Sequence, residues 1–157
     1  MQPFLPPEFW KKINTTNPFG RVDYKFYPKT GHHVGTDWLT PIGTTVLAPL
    51  NGELIPIQNA ARGNCAAFLV ERAGKKFAIE FCHLKELPKQ AYYRRGDIIG
   101  LTGNSGSATT GAHLHVVVHG GWQVTKNYTR LQSEKDFFEM VTDGSLINPE
   151  LFFLDLL

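Results

Sequence analysis

Leu114, Val116 and Val118 alternate with His113, His115, Val117 and His119. A period of two predicts a strand with two unlike faces, one apolar and one rich in imidazoles. Shorter runs of the same kind precede it. Residues 44–48 run to Pro49, and Asn51-Gly52 turns the chain into Glu53-Leu54-Ile55. Residues 66–71 and 77–83 read as a hairpin about Ala73-Gly74, and residues 97–101 as a further strand entered from Arg95-Gly96. The small, polar stretch 103–111 is a loop feeding into His113. One helix is expected, over residues 133–141, with Ser133 as N-cap, Asp136 three residues on, and Asp143-Gly144 as the stop. The first seventeen residues read as a Pro-bearing arm whose Phe9, Trp10 and Ile13 pack on the rest. There is no internal repeat or heptad. The pattern predicts a mainly β, single-domain protein: an antiparallel β-sheet with groove-forming loops and one short C-terminal helix.

Composition narrows this only slightly. At 157 residues the chain suits one domain with a sizeable core, and 15 Gly with 10 Pro favour turns over long helices. Sixteen basic against fourteen acidic residues give a net charge of +2, too small a bias to argue for nucleic acid. No apolar run approaches the ~20 residues of a membrane-spanning helix. The N-terminus lacks the basic start and apolar core of a secretory signal, so export is expected to use another route or a leader outside this sequence. If the hairpin turns on Ala73-Gly74, facing residues sum to 147, which pairs Cys65 with Cys82. A one-residue bulge would break that register, and two buried free thiols are expected. No C-x-x-C spacing supports a cysteine metal site.

The histidines change the picture. On a strand, His113 and His115 share a face about 6.6 Å apart, so one can ligate an ion while the other stands by as acid, base or hydrogen-bond donor. His33 and Asp37 would lie ~13 Å apart on a straight strand, too far to share an ion held ~2 Å from each donor. Val34, Gly35 and Thr36 disfavour a helix, so the backbone must bend, with Gly35 as the residue that allows it. His33, Asp37 and His115 then form a three-ligand N₂O site with the fourth position left for water, as catalytic zinc requires. His83 and His113 remain to move a proton and stabilise an oxyanion, in roles that the spacing does not apportion. His32 and His119 read as ordinary polar residues, His119 being ~13 Å along the strand from His115.

The ordered series resembles the lysostaphin-type (LytM-type) zinc metalloendopeptidases over about residues 15–119. Asn17-Pro18-Phe19-Gly20-Arg21 is similar to that family's first strand, and His33-Val34-Gly35-Thr36-Asp37 to its H-x-G-x-D. The segment 41–49 with Asn51-Gly52 resembles its core hairpin, and His83-Leu84 its isolated histidine. Gly111-Ala112-His113-Leu114-His115 resembles its H-x-H, and Ile147-Asn148-Pro149 its close. The resemblance implies a duplicated hybrid motif fold with a narrow groove over one zinc ion per chain. It also implies His33, Asp37 and His115 as ligands, His83 and His113 as the catalytic pair, and peptide bonds of peptidoglycan as substrate. Ala112 stands where the family commonly has Pro, and Val117 where it commonly has an acidic residue. The stretch of about 120–145 is a longer connection than usual, able to wall the groove or simply to cover the sheet.

The implied organisation is an N-terminal arm, 1–17, and a peptidase domain, 18–157, with an insertion at about 120–145. The implied partner is a peptidoglycan peptide outside the cytoplasmic membrane, met by a monomer with no membrane span. A phage lysin or a trimmed bacterial protein would suit equally. A non-catalytic cell-wall-binding or hydrolase-activating module would be expected to lose ligands that this chain keeps. A phosphocarrier domain with two facing histidines would have no need of Asp37 beside His33.

Overall fold

The computed structural model describes residues 1–157. Its strands are β1 (Thr36–Trp38), β2 (Thr45–Leu47), β3 (Gly52–Asn59), β4 (Gly63–Arg72) and β5 (Lys75–Leu84), followed by β6 (Ala91–Tyr93), β7 (Ile98–Leu101), β8 (Leu114–Gly120) and β9 (Leu146–Ile147). The main sheet has the order β1-β8-β5-β4-β3-β6, with β9 joining β8 beyond β1. Every pairing is antiparallel, and β2 with β7 makes a separate two-stranded sheet. The fold is the mainly β, antiparallel, single-domain one that the alternation predicts.

The β4–β5 hairpin turns on Ala73 and Gly74, both with positive φ (51° and 73°), the pair of left-handed residues that a two-residue hairpin turn demands. Its register follows the sum of 147 from Arg72↔Lys75 to Ala66↔Phe81, then slips to Asn64↔Leu84. Cys65 sits in that irregularity, and both cysteines are buried free thiols.

Alternation gives the sheet two unlike faces. Phe68, Val70, Ile79, Phe81, Leu114, Val116 and Val118 point into the main core. Both chain ends close that face. Phe4 lies edge-on to Trp10 (4.6 Å), Trp38 (5.0 Å) and Phe153 (4.8 Å), and is fully buried. Each such aromatic side chain is worth roughly 1.5–3 kcal/mol of transfer free energy. The N-terminal segment, with its short helix α1 (Pro7–Trp10), is therefore built into the core.

The opposite face carries Asp37, Cys65, Glu80, Cys82, His115, Val117 and His119. It is covered in part by α2 (Val124–Arg130) and α3 (Glu134–Thr142), which bring Tyr128, Phe137 and Met140 against it. Helix α3 starts as its sequence predicts, Ser133 Oγ accepting from the Asp136 N–H (3.1 Å), with Asp143 as C-cap. Helix α2 carries no sequence signal: it has no side-chain cap, and Val124, Thr125 and Thr129 are poor helix formers. It forms because Val124 and Tyr128 pack on the sheet. A last short helix, α4 (Pro149–Phe152), starts on Pro149 with the Asn148 side chain as cap.

Candidate metal centre

The β1–β8 register sets Asp37 directly opposite His115. His33 precedes β1, and the chain bends between them as the spacing requires. Gly35 serves that bend by leaving room: a Cβ there would stand 2.4 Å from the Val116 carbonyl oxygen and 2.7 Å from the His115 ring. Gly35 is not among the residues with positive φ, so its task is close approach rather than an unusual torsion.

Three donor atoms converge. His115 Nδ1 lies 2.9 Å from Asp37 Oδ1 and 3.1 Å from His33 Nε2, and His33 Nε2 lies 3.5 Å from Asp37 Oδ1. Corners of a tetrahedron with ~2.05 Å bonds are about 3.3 Å apart, so the donor set matches the edge lengths of a zinc site. The group is buried and is able to hold a metal ion. His33 Nδ1 donates to the carbonyl oxygens of Asn17 (3.0 Å) and Pro18 (3.2 Å), which leaves Nε2 with a lone pair aimed inward. Lone pairs and a carboxylate oxygen crowded this closely repel one another unless a proton or a cation sits among them.

Burial pushes the His33 imidazole down to about 4, with His115 adding to the effect, so it is a neutral donor at ordinary pH. Burial alone would raise the Asp37 carboxyl. The hydrogen bond from His115 and the three neighbouring imidazoles outweigh it and hold the group below the usual carboxylate range.

His83 and His113 stand beside this trio, their ring centroids 4.7 Å apart. His113 Nδ1 donates to the Gly111 carbonyl (2.7 Å), and its Nε2 lies 3.6 Å from Asp37 Oδ1. His83 Nδ1 donates to the Ser105 carbonyl (2.7 Å). Strict alternation along β5 would send residue 83 into the core beside Phe81. A left-handed φ of 60° at His83, together with the register slip opposite, breaks the alternation and brings its ring to the polar face. Burial holds its pKa at about 4, partly offset by the Ser105 carbonyl.

Five sequence-predicted residues thus meet in one place. His32 and His119 do not join them. His32 stacks on Phe137 (4.7 Å) and bonds Glu134, and His119 is buried against Asn127 and Tyr128. Three neighbours receive no role from the sequence. Asn17 donates to Asp37 Oδ2 (2.7 Å) while its backbone carbonyl accepts from His33, so one residue orients two of the converging side chains. Tyr27 donates to Asn17 Oδ1 (3.1 Å) and stacks on His33 (5.3 Å); burial lifts its phenol to about 12. Ser105 accepts from His83 and from the Asn64 N–H, and donates to the Leu84 carbonyl. None of the three has a spacing that marks it out.

The five side chains open on a cavity of about 650 Å³, whose walls include Asn17, Tyr27, Arg62, Thr110 and Tyr128. The stretch 120–145 contributes Tyr128 to this wall, while Trp122 lies elsewhere, stacked under Lys76 and bonded to the Val70 carbonyl.

Residues 31–128, which span all five, match peptidase family M23, and the chain belongs to that family. It is similar to an uncharacterized metalloprotease of Haemophilus influenzae, 34% identical over 114 residues, covering 69% of this chain and 23% of the relative. It is also similar to the peptidoglycan DD-endopeptidase ShyA of Vibrio cholerae, 33% identical over 106 residues, covering 60% of this chain and 24% of that one. The chain therefore spans about a quarter of the length of these curated relatives. Among solved structures, that of LytU superposes with a TM-score of 0.63 at 27% identity, over 92% of this chain and 86% of that one. No helix of the chain is long and apolar enough to cross a membrane.

Proposed function

We propose that this chain is a zinc-dependent endopeptidase that hydrolyses peptide bonds in the stem or cross-bridge peptides of bacterial peptidoglycan. The observation that carries the reading is the convergence of His33 Nε2, Asp37 Oδ1 and His115 Nδ1 within 3.5 Å, with two more imidazoles beside them, on an open cavity. These three side chains would hold one zinc ion. When bound, it supplies a Lewis acid and lowers the pKa of a coordinated water to about 7.

The remaining work falls to the chain. His83 and His113 each donate Nδ1–H to a backbone carbonyl, which leaves Nε2 free to accept a proton or, once protonated, to donate to a developing oxyanion. A pKa of about 4 keeps His83 neutral at rest and able to act as an acceptor. Asn17 keeps Asp37 and His33 in register, and Tyr27 holds Asn17.

The peptidase unit is assigned to residues 18–157, with an insertion at about 120–145 and an N-terminal segment, 1–17, packed against it. A peptidoglycan substrate places the action in the periplasm, cell wall or extracellular space, by a chain expected to work as a monomer. A non-catalytic wall-binding role is disfavoured because every candidate ligand is kept and brought together.

Purified muropeptides incubated with zinc-loaded protein, with and without a chelator, are expected to yield a new cleavage product only without chelator, and mass spectrometry identifies the bond. Intact muropeptides in both samples would remove the peptidase reading. Cleavage that survives complete metal removal would remove zinc from it.

A further inference from the structure

Arg62 lies just before β4, and its carbonyl accepts from the His83 N–H (2.9 Å). Arg62 lines the same cavity as His83, His115 and Tyr128. The guanidinium is gripped from two sides. Its carbon sits 3.9 Å over the Tyr128 ring, and Nε lies 3.3 Å from Oε1 of Glu80. Glu80 is completely buried, and its Oε1 also accepts from Tyr128 OH (2.8 Å) and Cys82 Sγ (3.0 Å). Arg62 Nε completes no hydrogen bond, and Glu80 Oε2 has no partner at all.

A buried ion pair is a poor source of stability, because desolvation of both charges offsets their attraction. One left under-bonded is poorer still. What this pair does achieve is orientation. It fixes a planar, permanently charged fork against an aromatic plate, on the wall of a cavity that opens to solvent. Such a fork matches a carboxylate, two N–H groups to two oxygens, and its pre-ordering lowers the entropic cost of binding. The distance also fits. Glu80 lies two residues before Cys82, which is the register partner of His115 on the next strand, so the grip on Arg62 is offset from His115 by about 6.6 Å along the strand and about 4.8 Å across it, roughly 8 Å in all. At about 3.3 Å per residue, that is the reach of two or three residues of an extended peptide.

We propose that Arg62, held by Glu80 and Tyr128, is a specificity-determining residue that anchors a free carboxylate on the peptide substrate, two or three residues from the bond presented to His33, Asp37 and His115. This inference rests on the peptide-hydrolase reading for its ligand class. The guanidinium anchors the carboxylate whether or not a bond is then cut.

The test uses two cross-linked muropeptides that differ at one group, a free carboxyl or a carboxamide beside the cross-link. Their binding to wild-type protein is measured by calorimetry at pH 7.5 with a chelator present to prevent turnover. The free acid is expected to bind at least tenfold more tightly. In the double variant Arg62→Gln/Glu80→Gln, which leaves no unpaired buried charge, the two affinities should become equal. Arg62→Lys, which keeps the charge and loses the fork, should fall between. Equal affinities in the wild type, no binding of either peptide at millimolar concentration, or an unchanged preference in the double variant would each overturn the proposal. Restoring zinc and following cleavage separates the two readings: a retained carboxylate preference without cleavage sinks the peptidase and leaves the anchor, and cleavage without preference does the reverse.

Discussion

His83 adopts a backbone conformation that L-residues avoid, with φ at 60°. Strain of this kind costs roughly 1–2 kcal/mol and persists only where the surroundings impose it. Here the surroundings are the Arg62 carbonyl, which binds the His83 N–H, and the Ser105 carbonyl, which binds the ring. The expected consequence inverts the usual order of small residues in a strand. His83→Gly should be more stable than His83→Ala by about 1 kcal/mol, because glycine takes φ > 0 freely, whereas glycine in a strand is ordinarily the worse of the two. Denaturant midpoints of the two variants check this, and an alanine variant of equal or greater stability would show that the torsion relaxes once the ring is gone. The converging trio predicts a different pattern. Asp37→Ala and His115→Ala should each lose bound zinc and turnover together, whereas His113→Ala should keep zinc, measured by atomic absorption, and lose most turnover. At this scale the five imidazole and carboxylate positions were legible because each is a chemically distinctive side chain at a diagnostic spacing. The turn of residue 83 out of the core was not. It depends on a register slip at Cys65 that hydrophobic alternation does not encode. Val117, sited where the resemblance leads one to expect an acid, pairs across the sheet with Glu80, so the carboxylate in this region comes from the neighbouring strand.

Between residue and molecule, the stretch 120–145 acts through α3. Glu134 in its first turn accepts from His32 Nε2 (3.0 Å) and Tyr24 OH, and Phe137 stacks on His32 (4.7 Å) and packs at a tilt on Phe19 (5.7 Å). These contacts pin residues 19–32, the segment that delivers Tyr27 and leads into His33. Glu134→Ala should therefore loosen that segment without touching the sheet. Hydrogen exchange of amides in 20–32 is expected to quicken severalfold, with turnover reduced and the protection of β4 and β5 unchanged. Unaltered exchange in 20–32 would leave α3 as a simple cover for Val117. The sequence revealed α3 through its cap, and it revealed β8 through alternation on two faces. Helix α2 escaped because tertiary packing of Val124 and Tyr128 overrides weak local propensity. Burial of Phe4 and Leu5 in the main core likewise follows from where the chain ends meet, which local pattern does not record.

Across the whole molecule, the polar face of the sheet buries imidazoles and a carboxylate whose pKa values are all lowered. Burial lowers His33 and His83 to about 4 and also lowers His119, while Glu80, against the effect of its burial, is held below its usual range, chiefly by Arg62. Each of these groups binds a proton less readily in the folded chain than in the unfolded one. As the pH falls the unfolded state therefore takes up protons first, and stability declines. The imidazole contribution is complete above about pH 6.5, the unperturbed histidine value, and is lost between there and about pH 4; the Glu80 contribution is lost below about 4.3, the usual value for glutamate. His33, falling from 6.5 to about 4, accounts for on the order of 3 kcal/mol at ~1.4 kcal/mol per tenfold change. Urea midpoints of the metal-stripped protein should then fall steadily from pH 7 to pH 4. Zinc, which binds only the deprotonated donors, should raise the midpoint at pH 7 and lose its effect as the pH approaches 4. A flat profile for the stripped protein would mean that these imidazoles titrate as they do in the unfolded chain, and that the polar face is far wetter than its packing beneath α2 and α3 allows.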